Sequence, residues 1–169
     1  MFKTILVGID GSEHADKALD IAADLAQKYE ARLLVVHVLT RRVLPAALRP
    51  YAGFSQIGIE DAMVRIEDIQ RLADAEDLEV EHVEAYRKQV AHNLLSAAVD
   101  RARAAGASRV EQRLERGRPA SGIVRLAKAE EVELIVLGSR GLGDVAGAVI
   151  GSVTHRVGHA ADVPVLTVK

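Results

Sequence analysis

Three short runs leave this chain little choice of fold. Residues 4–9 read TILVGI, 33–38 read LLVVHV and 134–137 read LIVL, each apolar at nearly every position. Side chains alternate across a strand, so a run that is apolar on successive residues buries both of its faces. Between the first two runs, Ala15, Ala18, Leu19, Ala22, Leu25, Ala26 and Tyr29 recur at helical spacing, and Ser12 is placed to cap the start of that helix. Strand, helix, strand, with both strands apolar throughout, requires parallel pairing through a crossover and helices over both faces of the sheet. The fold class is α/β.

Further along, residues 110–114 begin a third strand that Gly117-Arg118-Pro119 ends, and Pro119 suits the first turn of a helix running to about residue 130. The fourth strand spans residues 132–137, a helix covers 152–160, and VPVLTV at 163–168 is the last strand. The interval between the second and third strands breaks this rhythm. Residues 40–58 carry Pro45, Pro50, Gly53 and Gly58 with Tyr51 and Phe54, and read as a loop or lid whose aromatic pair packs, ahead of stacking on a base. From residue 59 to 105 there is neither Gly nor Pro. Met63, Ile66, Ile69, Leu72 and Ala73 keep helical spacing, and Val83, Tyr86, Val90, Leu94, Ala97, Ala98 and Arg101 form a second stripe, so a helical pair or one long bent helix is expected.

Bulk composition narrows the function. A chain of 169 residues fits one domain, 1–169, with an extended loop and helical insert at about 40–105. Hydrophobic residues at 49% and a net charge of −2 supply a core but no basic footprint for nucleic acid or an anionic membrane. Without cysteine there is neither a disulfide framework nor a zinc-thiolate site. The start MFKTILVGID lacks the basic flank and long apolar core of a signal peptide, and no run reaches the roughly 18 apolar residues of a membrane span. A cytoplasmic protein is expected.

The chemistry concentrates after the fourth strand, in GSRGLGDVAGAVIGSVT. Glycines there allow close backbone approach, and N–H groups in such a turn, with a helix N-terminus behind them, form a site for anions, of which phosphate is the natural one. Neither GxGxxG after the first strand nor GxxxxGK[ST] is present. What occurs is Gly138, two residues, Gly141, nine residues, then Gly151-Ser152. This spacing resembles the nucleotide-binding signature of the ATP-binding branch of the universal stress protein family. The resemblance extends through KTILVGIDGS, LLVVHV, GRP, LIVLGSRG, GSVT and VPVLTVK; between Val38 and Gly117 the chain is longer than is usual in the family.

The resemblance implies an open five-stranded parallel sheet in the order 3-2-1-4-5, of the adenine nucleotide alpha hydrolase-like kind, with ATP and an accompanying Mg2+ or Mn2+ at the carboxyl edge. It implies that Gly138, Gly141, Gly151, Ser152, Val153 and Thr154 face the phosphates and that the backbone at Val38 meets the adenine. Asp10, where the first strand ends, can accept from a ribose hydroxyl or hold a metal-bound water; its plainer role is a turn residue before a helix cap. Arg140 reaches a terminal phosphate or is a surface arginine, and His37 is a ligand neighbour or a core histidine. His155 and His159 stand four apart, as two metal-binding histidines would, but with no third ligand in view they read as a solvated helix face.

Fast phosphoryl transfer needs pre-positioned cations, carboxylates holding a metal and a group orienting the nucleophile. Asp10 is the one obvious carboxylate and no Walker lysine is present, so no catalytic residue is assigned. A nucleotide-dependent regulatory module in stress response is expected ahead of a slow ATPase or autophosphorylating phosphotransferase, or an interaction protein with an empty site and an unknown protein partner. The last strand, residues 165–168, is expected at a sheet edge, where similar proteins form homodimers.

Overall fold

The computed structural model describes residues 1–40, 80–141 and 150–169, with the backbone alone for 80–86. The elements in order are β1 (Thr4–Gly8), α1 (Glu13–Tyr29), β2 (Arg32–Leu39), α2 (Val80–Ala104), β3 (Arg109–Arg116), α3 (Pro119–Ala129), β4 (Leu134–Gly138), α4 (Ser152–Ala160) and β5 (Val165–Val168). All pairings are parallel and the strand order is β3-β2-β1-β4-β5, as expected. Contacts divide the chain into two compact units, residues 1–40 with 94–169, and residues 41–93. The expected loop at 40–58, beyond Thr40, and the helical stripe from Met63 to Ala73 lie outside the described residues.

Alternation along the strands sorts the core of the first unit into two layers. Ile5, Val7, Leu33, Val35, Leu134 and Val136 face α1 and the second half of α2, where Ala18, Leu19, Ala22, Leu95 and Ala102 meet them. Leu6, Leu34, Val36, Ile135 and Leu137 face the other way, against Ile123 and Leu126 of α3 and Val157 of α4. Each fully buried Leu, Ile or Val contributes about 1.5–3 kcal/mol relative to exposure, which is why β1 and β4 carry no charge.

Local signals set the helix ends. The Ser12 hydroxyl accepts from Ala15 N–H at 3.3 Å, and Glu13 and Asp16 in the first turn with Lys28 in the last complement the helix dipole. Pro119 opens α3. In α2 the buried stripe differs from the expected one. Ala98 of the expected stripe is buried and Leu94 packs against the core, but Ala97 and Arg101 are exposed, and Leu95, Val99 and Ala102 are buried instead. Arg101 instead grips α1, its Nε and Nη2 each donating at 2.7 Å to the Asp20 carboxylate. Residues 80 and 81 are helical.

At the opposite edge of the sheet from the carboxyl ends of the strands, Glu130 accepts from Arg32 Nη2 at 2.8 Å and from Arg113 Nη2 at 3.3 Å, joining α3 to β2 and β3. The Arg32 hydrogen bond first, and then that of Arg113, holds the Glu130 carboxyl below the usual range in spite of its partial desolvation. No described helix is long and apolar enough to cross a membrane.

Candidate functional site at the carboxyl edge of the sheet

Parallel pairing brings the carboxyl ends of β1, β2 and β4 to one edge. From the central β1 the chain runs outward to β2 and β3 on one side and to β4 and β5 on the other, so the order reverses between β1 and β4. Open α/β sheets form their crevice at such a point.

Asp10 lies just past the end of β1. Its Oδ1 accepts from Ser12 N–H at 3.0 Å and from the Ser12 hydroxyl at 2.6 Å. Ser12 thus fixes this carboxylate while capping α1. The other oxygen, Oδ2, is turned to the glycine loop, because a Cβ built on Gly141 would stand 2.4 Å from it. Asp10 and Gly141, 131 residues apart in sequence, are therefore in direct apposition, and a side chain at 141 would have to displace the Asp10 carboxylate.

The loop after β4 is closed by backbone and hydroxyl bonds. Ser139 N–H donates to Val168 at 2.5 Å, and Gly151 N–H donates to the Ser139 carbonyl at 2.6 Å. Thr154 Oγ1 donates to the Gly138 carbonyl at 2.7 Å. A Cβ on Gly151 would lie 3.3 Å from the Ser139 oxygen and 3.5 Å from Arg140 Cα, so the two ends of the loop run side by side. Residues 142–149, with Gly143 and Gly147, lie outside the described residues.

α4 starts directly from this closure with Gly151 as its N-cap, and no side chain caps it. The amides of Ser152, Val153 and Thr154 form its first turn, where partial positive charge gathers. Ser152 is exposed, while Thr154 is buried with its hydroxyl proton directed to Gly138. Of the two hydroxyls expected to face a ligand, only that of Ser152 is exposed.

On the far side of β1, the Val36 carbonyl accepts from Ile9 N–H at 2.9 Å, and the Leu39 carbonyl from Gly117 N–H at 2.8 Å. Backbone groups of alternate residues point the same way, so those of Val38 face the side of β1, beyond the point where β1 has ended. The Val38 side chain is buried in the layer under α3. His37 Nδ1–H donates to the Ile9 carbonyl at 2.9 Å, since a carbonyl can only accept, and this bond steadies the turn that carries Asp10.

Two residues without a role in the sequence reading adjoin the site. His14 and Ser139 line, with Arg140 and Lys169, a depression of about 210 Å³. Nothing in the helical pattern around His14 signals this; it follows from the packing of α1 on the end of β4, where a Cβ on Gly138 would come within 2.7 Å of His14 C. Among the described residues no group of three or more His, Cys, Asp or Glu side chains is arranged to hold a metal ion.

A model of the universal stress protein family matches residues 1–169. A universal stress protein of Thermus aquaticus is 35% identical over 170 aligned residues, covering 100% of both chains. A universal stress protein solved in complex with cAMP superposes with a TM-score of 0.63 at 26% identity, covering 99% of this chain and 96% of the other. A universal stress protein of Archaeoglobus fulgidus, solved in complex with dAMP, has the same fold with a TM-score of 0.62 at 24% identity, covering 99% and 98%. With a family model matched from end to end and a full-length relative at this identity, the chain belongs to the universal stress protein family.

Proposed function

We propose that this protein binds an adenine nucleotide, ATP with Mg2+ or Mn2+, and acts as a nucleotide-dependent regulatory module with little turnover. The observation that carries this reading is the apposition of Gly141 to Asp10 beside an uncapped helix N-terminus. The phosphates lie across the amides of residues 138–141 and 151–154, with Ser152 adding a hydroxyl and Arg140 at the terminal phosphate. The adenine lies toward the backbone of Val38, whose groups face the space past β1. Asp10 accepts from the ribose or holds a water of the metal. The surfaces fit such a ligand: a side chain at Gly141 would fill the cradle, and the dipole of α4 favours an anion. The family member solved with cAMP binds an adenine nucleotide, in agreement with this ligand class.

Mass spectrometry of small molecules released on denaturation identifies a retained ligand, and calorimetry with ATP, ADP and AMP measures selectivity. Hydrogen bonds to charged groups contribute about 1.5–3 kcal/mol, so Ser152→Ala weakens ATP binding by about tenfold or more. Equal affinities for all three nucleotides, unchanged in Ser152→Ala, would mean that the loop does not hold phosphates. Turnover well below about 10 per second follows from the lack of assigned positioning groups; a measured rate at or above it would favour the ATPase or phosphotransferase alternative.

The assembly we infer is a homodimer through β5. This strand lies at the sheet edge, and its Leu166 is 37% exposed, leaving unpaired backbone beside an apolar side chain. Light scattering at high micromolar concentration is expected to give twice the chain mass. A monomer there would exclude the dimer.

A further inference from the structure

We propose that His155 and His159 form a two-histidine surface site for a transition-metal ion, Cu2+ above all, on the outer side of α4. The two residues are one helical turn apart and both are exposed. Their ring centroids are 4.6 Å apart, with planes inclined at 64°. An imidazole nitrogen binds such an ion at about 2.0–2.1 Å and lies about 1.1 Å from its ring centre, so two rings on one ion have centroids about 4.5 Å apart at a right angle and about 5.1 Å apart at the tetrahedral angle. The two rings stand edge to face at a comparable separation, so side-chain rotation can bring a nitrogen of each onto one ion, and Cu2+ heads the affinity order for nitrogen ligands.

The helix backbone already holds the two rings at chelating distance. Binding requires only side-chain rotation, because Val157, on the inner side of the same turn, is buried and keeps α4 on the sheet. The site takes two protein ligands and completes its coordination with solvent, since among the described residues no third His, Cys, Asp or Glu joins the pair. Imidazole nitrogen with water disfavours Mg2+ and Ca2+, which seek oxygen ligands. The exposed guanidinium of Arg156 adds one like charge nearby. The site uses the side chains of His155 and His159 alone, so its test needs no nucleotide.

The test uses the untagged full chain without nucleotide, titrated with Cu2+, Zn2+ and Mg2+ by calorimetry, with electron paramagnetic resonance of the copper form. The expected result is one Cu2+ per chain with nitrogen hyperfine structure from two imidazoles, Zn2+ weaker by about tenfold or more, and no Mg2+ binding in the absence of nucleotide. His155→Ala and His159→Ala each weaken Cu2+ binding by about tenfold or more, while His92→Ala, at an exposed histidine of α2, leaves it unchanged. Circular dichroism and thermal melts of the variants matching the wild type assign the loss to ligation. Wild-type copper affinity in both single variants, or copper bound without imidazole hyperfine structure, would overturn the site.

Discussion

Gly141→Asp is expected to weaken the proposed ATP binding by about a hundredfold or more while the chain stays folded. The first contribution is steric: the new Cβ falls 2.4 Å from Asp10 Oδ2. Asp10 yields only by giving up one or both of its bonds to Ser12, at 3.0 and 2.6 Å, and so leaves the position proposed for the ribose or the metal water. The second is electrostatic. A carboxylate about 4 Å from another costs on the order of 4 kcal/mol at an effective dielectric constant of about 20, and a bound polyphosphate adds to that repulsion. Even one lost hydrogen bond to charge, about 1.5–3 kcal/mol, accounts for about ten- to a hundredfold, and repulsion compounds it. Gly141→Ala separates the two effects, since it keeps the clash without the charge and is expected to lose less. In an Asp10→Ala background the alanine at position 141 should cost little, because the atom it meets is gone. Calorimetry with ATP on these four proteins decides the matter. Wild-type affinity in Gly141→Asp would require the proposed function to be withdrawn, whatever the fold.

The reason this contact was only half legible in the sequence is physical. Asp10 after an apolar strand and glycines after another mark two places on the carboxyl edge, and strand order makes β1 and β4 neighbours. Local pattern does not say that Ser12 would turn one carboxylate oxygen inward and leave the other against Gly141. Thr154 makes the same point. A hydroxyl two residues into a helix reads as a ligand donor, yet loop closure brings the Gly138 carbonyl within 2.7 Å and takes its proton. The bounds of α4 were legible from the glycines before it and Val163-Pro164 after it. The face of α2 was not: its buried side is built of Ala98, Ala102, Leu95 and Val99, and alanine serves buried and exposed positions alike. The expected stripe, drawn through Val90, Leu94 and Arg101, is rotated by about one residue, or 100°, from the buried one. Arg101 could not be placed without Asp16 and Asp20, which belong to another helix.

Gly138→Ala is expected to cost about 3 kcal/mol of stability, a melting temperature lower by about 6–12 °C for a chain of this size. Its Cβ would stand 2.7 Å from His14 C, 2.9 Å from Ala15 N and 2.9 Å from His14 Cβ. Two of these three atoms are main chain and cannot rotate away. The first turn of α1 is fixed by the Ser12 cap and by Asp16 N–H on the Ser12 carbonyl at 3.0 Å, while β4 is held on both sides by β1 and β5. Strain is relieved only by lifting α1 from the sheet, which uncovers Ala15, Ala18 and Leu19. Gly158→Ala is the matched control. It lies within α4 with nothing inside 4 Å of its Cβ, and removing glycine from a helix interior gains about 0.5–1 kcal/mol. Urea denaturation of the two variants should therefore move the midpoint in opposite directions. The functional consequence differs from that of Gly141→Asp, because Gly138 also receives the Thr154 hydroxyl that seats the start of α4. Moving β4 away from α1 loosens both sides of the proposed phosphate cradle, so affinity for ATP falls together with stability, whereas Gly141→Asp lowers affinity alone. A wild-type urea midpoint for Gly138→Ala would show that the approach of α1 to the end of β4 does not constrain the fold.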